Sequence, residues 1–339
     1  MNNTTLILHH NDNDGKAAAA IIMQHIIDSG IGDYKLIECD YSLTLEEYIE
    51  CANDWANSKN VYILDYSISN DIDARYLSAM YAVLGDRLIW IDHHKTSLEM
   101  INNPSYDGLK NIVGPRINGI SGCGLTWIFE HCDVDDINPV YVEYLNRYNN
   151  TQDVVKPDCA MSILRDLKCP IVLQFIHSYD IWDTNDLVIS FHYGFGDKSP
   201  EEIRHIIEDE TAINIVDIQN IGFFIRSNIE KENKKEVFKH GFEVDVNYKA
   251  ATYKAFALNT NRFTSLTFGD IINKYDLVIA FLFTGDEWRY SMYTVKNDID
   301  VSILCKALGG GGHAKASGFQ KGYFVFERKE DFEYELNIN

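Results

Sequence analysis

Apolar and polar positions along the first 95 residues alternate between two rhythms. Thr4–His9 is an apolar run of strand length, and Gly15–Asp28 follows with helical spacing; its four alanines, Ala17 to Ala20, are small enough to lie close against a sheet. The same alternation repeats downstream. Strands are predicted at Tyr34–Cys39, Asn60–Leu64 and Arg87–Ile91, and helices at Leu45–Ala56 and Asp71–Leu84. Strand-then-helix order with nearly continuous apolar strands predicts a parallel sheet covered by helices on both faces. In such sheets ligands sit beyond the carboxyl ends of the strands. The polar clusters His10–Asp14, Asp65 and Asp92–His94 all follow strands.

From about residue 120 the pattern turns helical, with predicted helices at Gly122–Glu130, Tyr141–Tyr148, Met161–Leu167 and Ile171–Ser178, and Pro139, Pro157 and Pro170 at their boundaries. Pro200, Glu201 and Glu202 open a longer helix predicted to reach Asn220 or beyond, and Asn228–Glu236 is a charged helical face. Strand-like runs return at Phe242–Val246, Ala251–Leu258, Leu277–Phe283, Arg289–Thr294 and Tyr323–Glu327, with a helix at Val301–Leu308 and frayed residues at Asn337–Asn339. The division expected is a catalytic domain over 1–198, a helical linker over 199–240 and a smaller mixed α/β domain over 241–330.

Composition narrows the function. Thirty basic against 51 acidic residues give a formal charge of -21, which argues against a protein that tracks along long duplex nucleic acid, where Lys and Arg must neutralise phosphates. So acidic a chain also repels small anionic substrates, unless cations invert the local potential. The seven cysteines include no CxxC pair, which points away from a zinc–thiolate site and toward a reducing compartment. No positively charged leader with a long apolar stretch is present, and no run of 18 apolar residues, so a cytoplasmic location without membrane contact is expected. Oligomeric state is not readable.

The polar clusters carry the chemistry. His10, Asp12 and Asp14 place an imidazole and two carboxylates within five residues, a set suited to a divalent cation; the plainer role is capping, and Asp14 is well placed to cap the helix that follows. Gly15 is expected to permit a tight turn into that helix. Asp65, directly after a strand, is positioned to bridge two ions. His93 and His94 are adjacent and so expected to point differently, with Asp92 orienting an imidazole by accepting a ring proton. Asp180 or Asp183, in SYDIWD, could complete a coordination sphere; Trp182 between them is expected to pack. Asp153 is a rival acid in what looks like a surface turn. Gly309–Gly312 followed by His313 allows close backbone approach and an anion-binding nest of N–H groups. Arg289, in RYSMY, is a candidate phosphate clamp.

Five short motifs in this order (HNDNDG at 10–15, LDYSIS around Asp65, Asp92-His93-His94, YDIWD around Asp180 and GGGGHAKASGF at 309–319) resemble those of the DHH phosphoesterases that carry a C-terminal DHHA1 domain. The resemblance covers most of the chain and is nearest to the branch that degrades short oligoribonucleotides. It implies a parallel-sheet DHH domain followed by a DHHA1 domain, and hydrolysis of phosphodiester bonds in short oligoribonucleotides or dinucleotides. Alternatives within it are a phosphatase acting on 3′,5′-bisphosphorylated adenosine and a pyrophosphatase or polyphosphatase. Outside it stands a non-catalytic nucleotide-binding protein. By the resemblance, two Mn ions, with Mg as the alternative, would be held by His10, Asp12 and Asp65 and by Asp14, Asp65, His93 and Asp180. His94 would face the reacting phosphate, with Asp92 behind it. Gly310, Gly311, Gly312, His313 and Arg289 would bind another part of the substrate.

Overall fold

The computed structural model describes residues 3–52, 55–132, 139–209 and 214–325. They form two compact units, Met1–Arg226 and Ser227–Asn339.

The first unit is built on four parallel strands: β1 (Thr4–His10), β2 (Asp33–Cys39), β3 (Val61–Leu64) and β4 (Leu88–Ile91), in the order β2-β1-β3-β4. Helices α1 (Asn13–Ser29), α2 (Leu45–Glu50), α3 (Asp71–Leu84) and α4 (Lys95–Ile101) alternate with and follow the strands. Side chains of β1, β3 and β4 alternate between two buried faces. Ile7, Tyr62, Leu64, Ile89 and Ile91 face α1, whose Ala17–Ala20 are fully buried, and the later helices. Leu6, Leu8, Val61, Ile63, Leu88 and Trp90 face α2, α3 and α4. Burial on both faces explains why these strands read as unbroken apolar runs.

Seven more helices follow: α5 (Gly122–His131), α6 (Pro139–Tyr148), α7 (Pro157–Asp166), α8 (Ile171–Asp180), α9 (Asp186–Phe195), α10 (Pro200–Glu208) and α11 (Ile215–His240). The sequence reading differs from the helices at three points. The single long helix expected from Pro200 is two helices, α10 and α11; α10 opens with a capping box between Ser199 and Glu202. Helices α4 and α9 had no counterpart in it. Neither opens with the Pro or Gly that marks the starts of α5, α6, α7, α8 and α10.

The second unit carries a six-stranded mixed sheet, β5 (Phe242–Tyr248), β6 (Ala251–Asn259), β7 (Leu277–Phe283), β8 (Trp288–Tyr293), β9 (Gly311–Gly312) and β10 (Ala316–Lys321), in the order β5-β6-β7-β8-β10-β9. Only β6 and β7 pair in parallel. Helix α12 (Val301–Ala307) packs Val301, Leu304 and Cys305 on one face of the sheet. Among the described residues the last strand is β10; of the expected strand Tyr323–Glu327, Tyr323–Val325 are not in a strand, and Phe326 and Glu327, like Asn337–Asn339, lie outside the described residues. The small, polar composition of Ala316, Ser317 and Gly318 hides a strand that pairing with β8 creates. Among the described residues no helix is long and apolar enough to cross a membrane.

Ile63 is fully buried on an interior strand. Ile63→Ala is expected to lower unfolding free energy by about 2–5 kcal/mol, measured by urea denaturation; a loss under half a kilocalorie would contradict this packing.

Candidate metal centre

Because β1, β3 and β4 are parallel, their carboxyl ends share one edge of the sheet, and each delivers a polar group there. Asp12 caps α1, accepting from Asp14 N at 3.1 Å and Gly15 N at 3.0 Å. The capping acid is therefore Asp12, where the sequence favoured Asp14. Asp14 instead sits in the first turn, 2% exposed, and accepts from Gly122 N (2.5 Å) and Cys123 N (3.0 Å) at the start of α5. A helix amino end is a favourable partner for a carboxylate. Gly15 is helical rather than a turn; what it permits is closeness, since a Cβ there would lie 2.4 Å from His10 O.

Asp65 follows β3 with φ 55, the left-handed region, unusual for a residue other than glycine. Its N–H donates to Ile91 O at 2.9 Å, which fixes it against the end of β4. Its carboxylate is 1% exposed, with Oδ1 3.0 Å from His93 Nε2. His93 Nε2 is also 3.3 Å from Asp180 Oδ2, which arrives at the end of α8, and 3.8 Å from Asp14 Oδ2. The His10, Asp12 and Asp65 ligand atoms lie within 4.8 Å of one another, as do those of Asp14, His93 and Asp180, and those of Asp65, Asp92 and His94. Asp92 is fully buried; its Oδ1 accepts from His93 N (2.8 Å), His94 N (3.3 Å) and His94 Nδ1 (2.7 Å).

The electrostatics ask for cations. Among the described residues no Lys or Arg pairs with Asp12, Asp14, Asp65, Asp92 or Asp180; Lys16 pairs with Asp197, and buried Arg116 bonds to the carbonyls of Trp90 and Ile112. Burial and then Asp12 raise the Asp14 pKa to about 6. Burial and the neighbouring carboxylates hold Asp65 and Asp180 well above the usual carboxylate range. Asp65 Oδ1 and Asp180 Oδ2 are buried and accept no hydrogen bond among the described residues. His93 is pushed down to about 3, by burial and then by His94, so it is a neutral imidazole and ready to ligate. Orphaned carboxylate oxygens beside a neutral imidazole fit divalent ions, and these clusters are consistent with a two-metal site.

No protein-family model and no curated protein matches the chain. Solved structures do resemble it over nearly its whole length. An uncharacterised protein from Helicobacter pylori G27 is 17% identical, covering 96% of this chain and 95% of its own, with a TM-score of 0.37. A pGpG-specific phosphodiesterase from Vibrio cholerae is 13% identical, with 94% and 92% covered and a TM-score of 0.37. An exopolyphosphatase-related protein from Bacteroides fragilis is 14% identical, with 96% and 88% covered and a TM-score of 0.44.

The remaining candidates are spread more widely. Trp182 does not pack away: it is 41% exposed and has φ 64. Asp183 and Asp153 are in none of these ligand groups. In the second unit, Gly311 and Gly312 form β9 against β10. Gly309 N and Gly310 N donate to Lys306 O and Cys305 O, so those two N–H groups are committed within the protein. The close approach that the glycines permit is to β10, where a Cβ on Gly310 would lie 2.0 Å from Gly318 O. His313 N donates to Ala316 O across the following turn. Arg289 is exposed on β8, with its guanidinium 5.4 Å from the centre of the Phe263 ring.

Three contributors to the centre escaped sequence reading. Gly122 lets α5 approach, because a Cβ there would lie 2.6 Å from Asp65 Cβ. His177, fully buried one turn before Asp180 on α8, accepts from Ser121 N at its Nδ1, so its ring proton sits on Nε2. The His177-x-x-Asp180 spacing on one helix face was its available signal. Tyr41 lies with its ring 5.1 Å from that of His10, in a loop that has no periodicity.

A folded-state pKa raised from 3.8 to about 6 means that Asp14 favours the metal-free fold below pH 3.8 and that this advantage is lost as pH rises through about 6. Cations reverse the sign by stabilising the carboxylate. The rise in melting temperature caused by Mn, against protein in chelator, is therefore expected to grow between pH 5 and 7; a shift independent of pH would contradict the cluster's dependence on cations.

Proposed function

We propose that the chain is a two-metal-dependent phosphoesterase that hydrolyses phosphodiester bonds in short oligoribonucleotides or dinucleotides and releases nucleoside monophosphates. The observation that carries this reading is the meeting of Asp12 and Asp14 at the start of α1, Asp65 and His93 after β3 and β4, and Asp180 at the end of α8, at one edge of the sheet where Asp14, Asp65 and His93 are buried and, among the described residues, no Lys or Arg pairs with the carboxylates. The order of the five motifs, which resembles that of DHH phosphoesterases, supports it.

In this reading His10, Asp12 and Asp65 hold one ion, and Asp14, Asp65, His93 and Asp180 the other, with Mn preferred over Mg because imidazoles are present. Divalent ions there supply charge neutralisation for the phosphoryl group and acidify water for attack. Asp65 is the shared ligand, fixed by its backbone bond to the end of β4. Asp92 Oδ1 accepts a hydrogen bond from His94 Nδ1–H, which orients the ring and leaves Nε2 as the atom that meets a phosphoryl oxygen or the leaving group. In the second unit, His313 and Arg289, with Gly311 and Gly312 beside them, are proposed to hold a non-reacting phosphate; the Gly310 N–H, committed to Cys305 O, is no donor to it. Such remote contacts orient the substrate.

The charge of -21 favours short substrates, because single-strand tracking needs a basic groove lined with aromatic rings. Rates with Mn should fall as RNA lengthens from two to about twenty-four nucleotides; undiminished rates on the longest strand, or faster release of phosphate from pyrophosphate than from a dinucleotide, would move the assignment to another branch. Asp65→Ala should lower kcat by about a hundredfold or more with the far-ultraviolet dichroism unchanged. Turnover at the wild-type rate would remove Asp65 from its bridging role.

A further inference from the structure

Resting on the phosphoesterase reading, we infer that Tyr41 is part of the reaction centre: its hydroxyl donates a hydrogen bond to a phosphoryl oxygen of the substrate held at the metal edge. Strand register brings it there. Cys39, the last residue of β2, pairs with His10, the last of β1, so the two residues that follow Cys39 emerge at the carboxyl edge of the sheet. The loop is stiffened by Asp40, whose carboxylate accepts from Ser42 N at 2.7 Å and from the Tyr48 hydroxyl. The Tyr41 ring stacks at 5.2 Å on Tyr66, itself 1% exposed and next to Asp65, and stands 5.1 Å from the His10 ring.

The hydroxyl itself is aimed inward. It accepts from Ser67 N at 3.2 Å, two residues past Asp65, and Ser67 Oγ is 2.6 Å from Thr96 Oγ1, two residues past His94. That bond occupies a lone pair and leaves the O–H proton to be given elsewhere. No described residue accepts it. The residue as a whole is 44% exposed, so it spans from solvent to the centre. A fixed neutral donor at such an edge suits an incoming phosphate oxygen and adds no charge to repel the metal ions.

The test compares wild type with Tyr41→Phe, which keeps the ring stack and removes the donor. Isothermal titration of the Mn-loaded proteins with inorganic phosphate is expected to show about tenfold weaker binding by the variant, at unchanged Mn stoichiometry and affinity. A dinucleotide should show a comparable loss in kcat. A purely structural tyrosine would lower the melting temperature and leave phosphate affinity at equal Mn occupancy untouched. Phosphate affinities within twofold of each other, or no phosphate binding by the Mn-loaded wild type, would overturn the inference. If the wild type hydrolyses no nucleotide yet loses phosphate affinity on Tyr41→Phe, the donor stands and the proposed activity fails.

Discussion

Burying several carboxylates together without a basic side chain is the constraint on which the rest of the molecule turns. An isolated buried carboxylate is costly, and its neighbours make it worse. The protein relieves part of the burden itself. Asp14 receives two backbone N–H groups at the start of α5, Asp92 receives two more and an imidazole, and Asp12 caps α1. Asp65 Oδ1 and Asp180 Oδ2 receive nothing of the kind. What is left over is negative charge at a defined place, and only protons or cations can balance it.

The architecture is what makes that concentration achievable. Parallel strands put the ends of β1, β3 and β4 on the same side, so polar groups far apart in sequence converge without long loops. The convergence is held at some backbone cost, because Asp65 occupies the left-handed region at about 1–2 kcal/mol. Close approach of α5 over Asp65 depends on Gly122 having no side chain. Burial of the sheet on both faces gives these positions a rigid base.

Much of this was legible in the sequence, for a physical reason. A charged residue placed directly after an apolar strand has few structural purposes, so His10–Asp14, Asp65 and Asp92–His94 stood out, as did the parallel sheet beneath them. The mixed sheet of the second unit was legible from its apolar strands, except for β10, whose Ala316, Ser317 and Gly318 carry almost no strand signal. Which acid caps α1 was not legible, since Asp12 and Asp14 are both good caps and tertiary contact with α5 decides between them. Tyr41, Gly122 and His177 could be placed only by register and packing. Nothing local distinguishes a loop tyrosine beside a metal edge from one on any surface.

The central claim is most directly tested by an anomalous-scattering map from a crystal of the full chain grown with Mn. Two peaks are predicted, one among His10, Asp12 and Asp65 and one among Asp14, His93 and Asp180, with Asp65 touching both. An empty cluster at saturating Mn, or peaks only elsewhere on the molecule, would contradict the account.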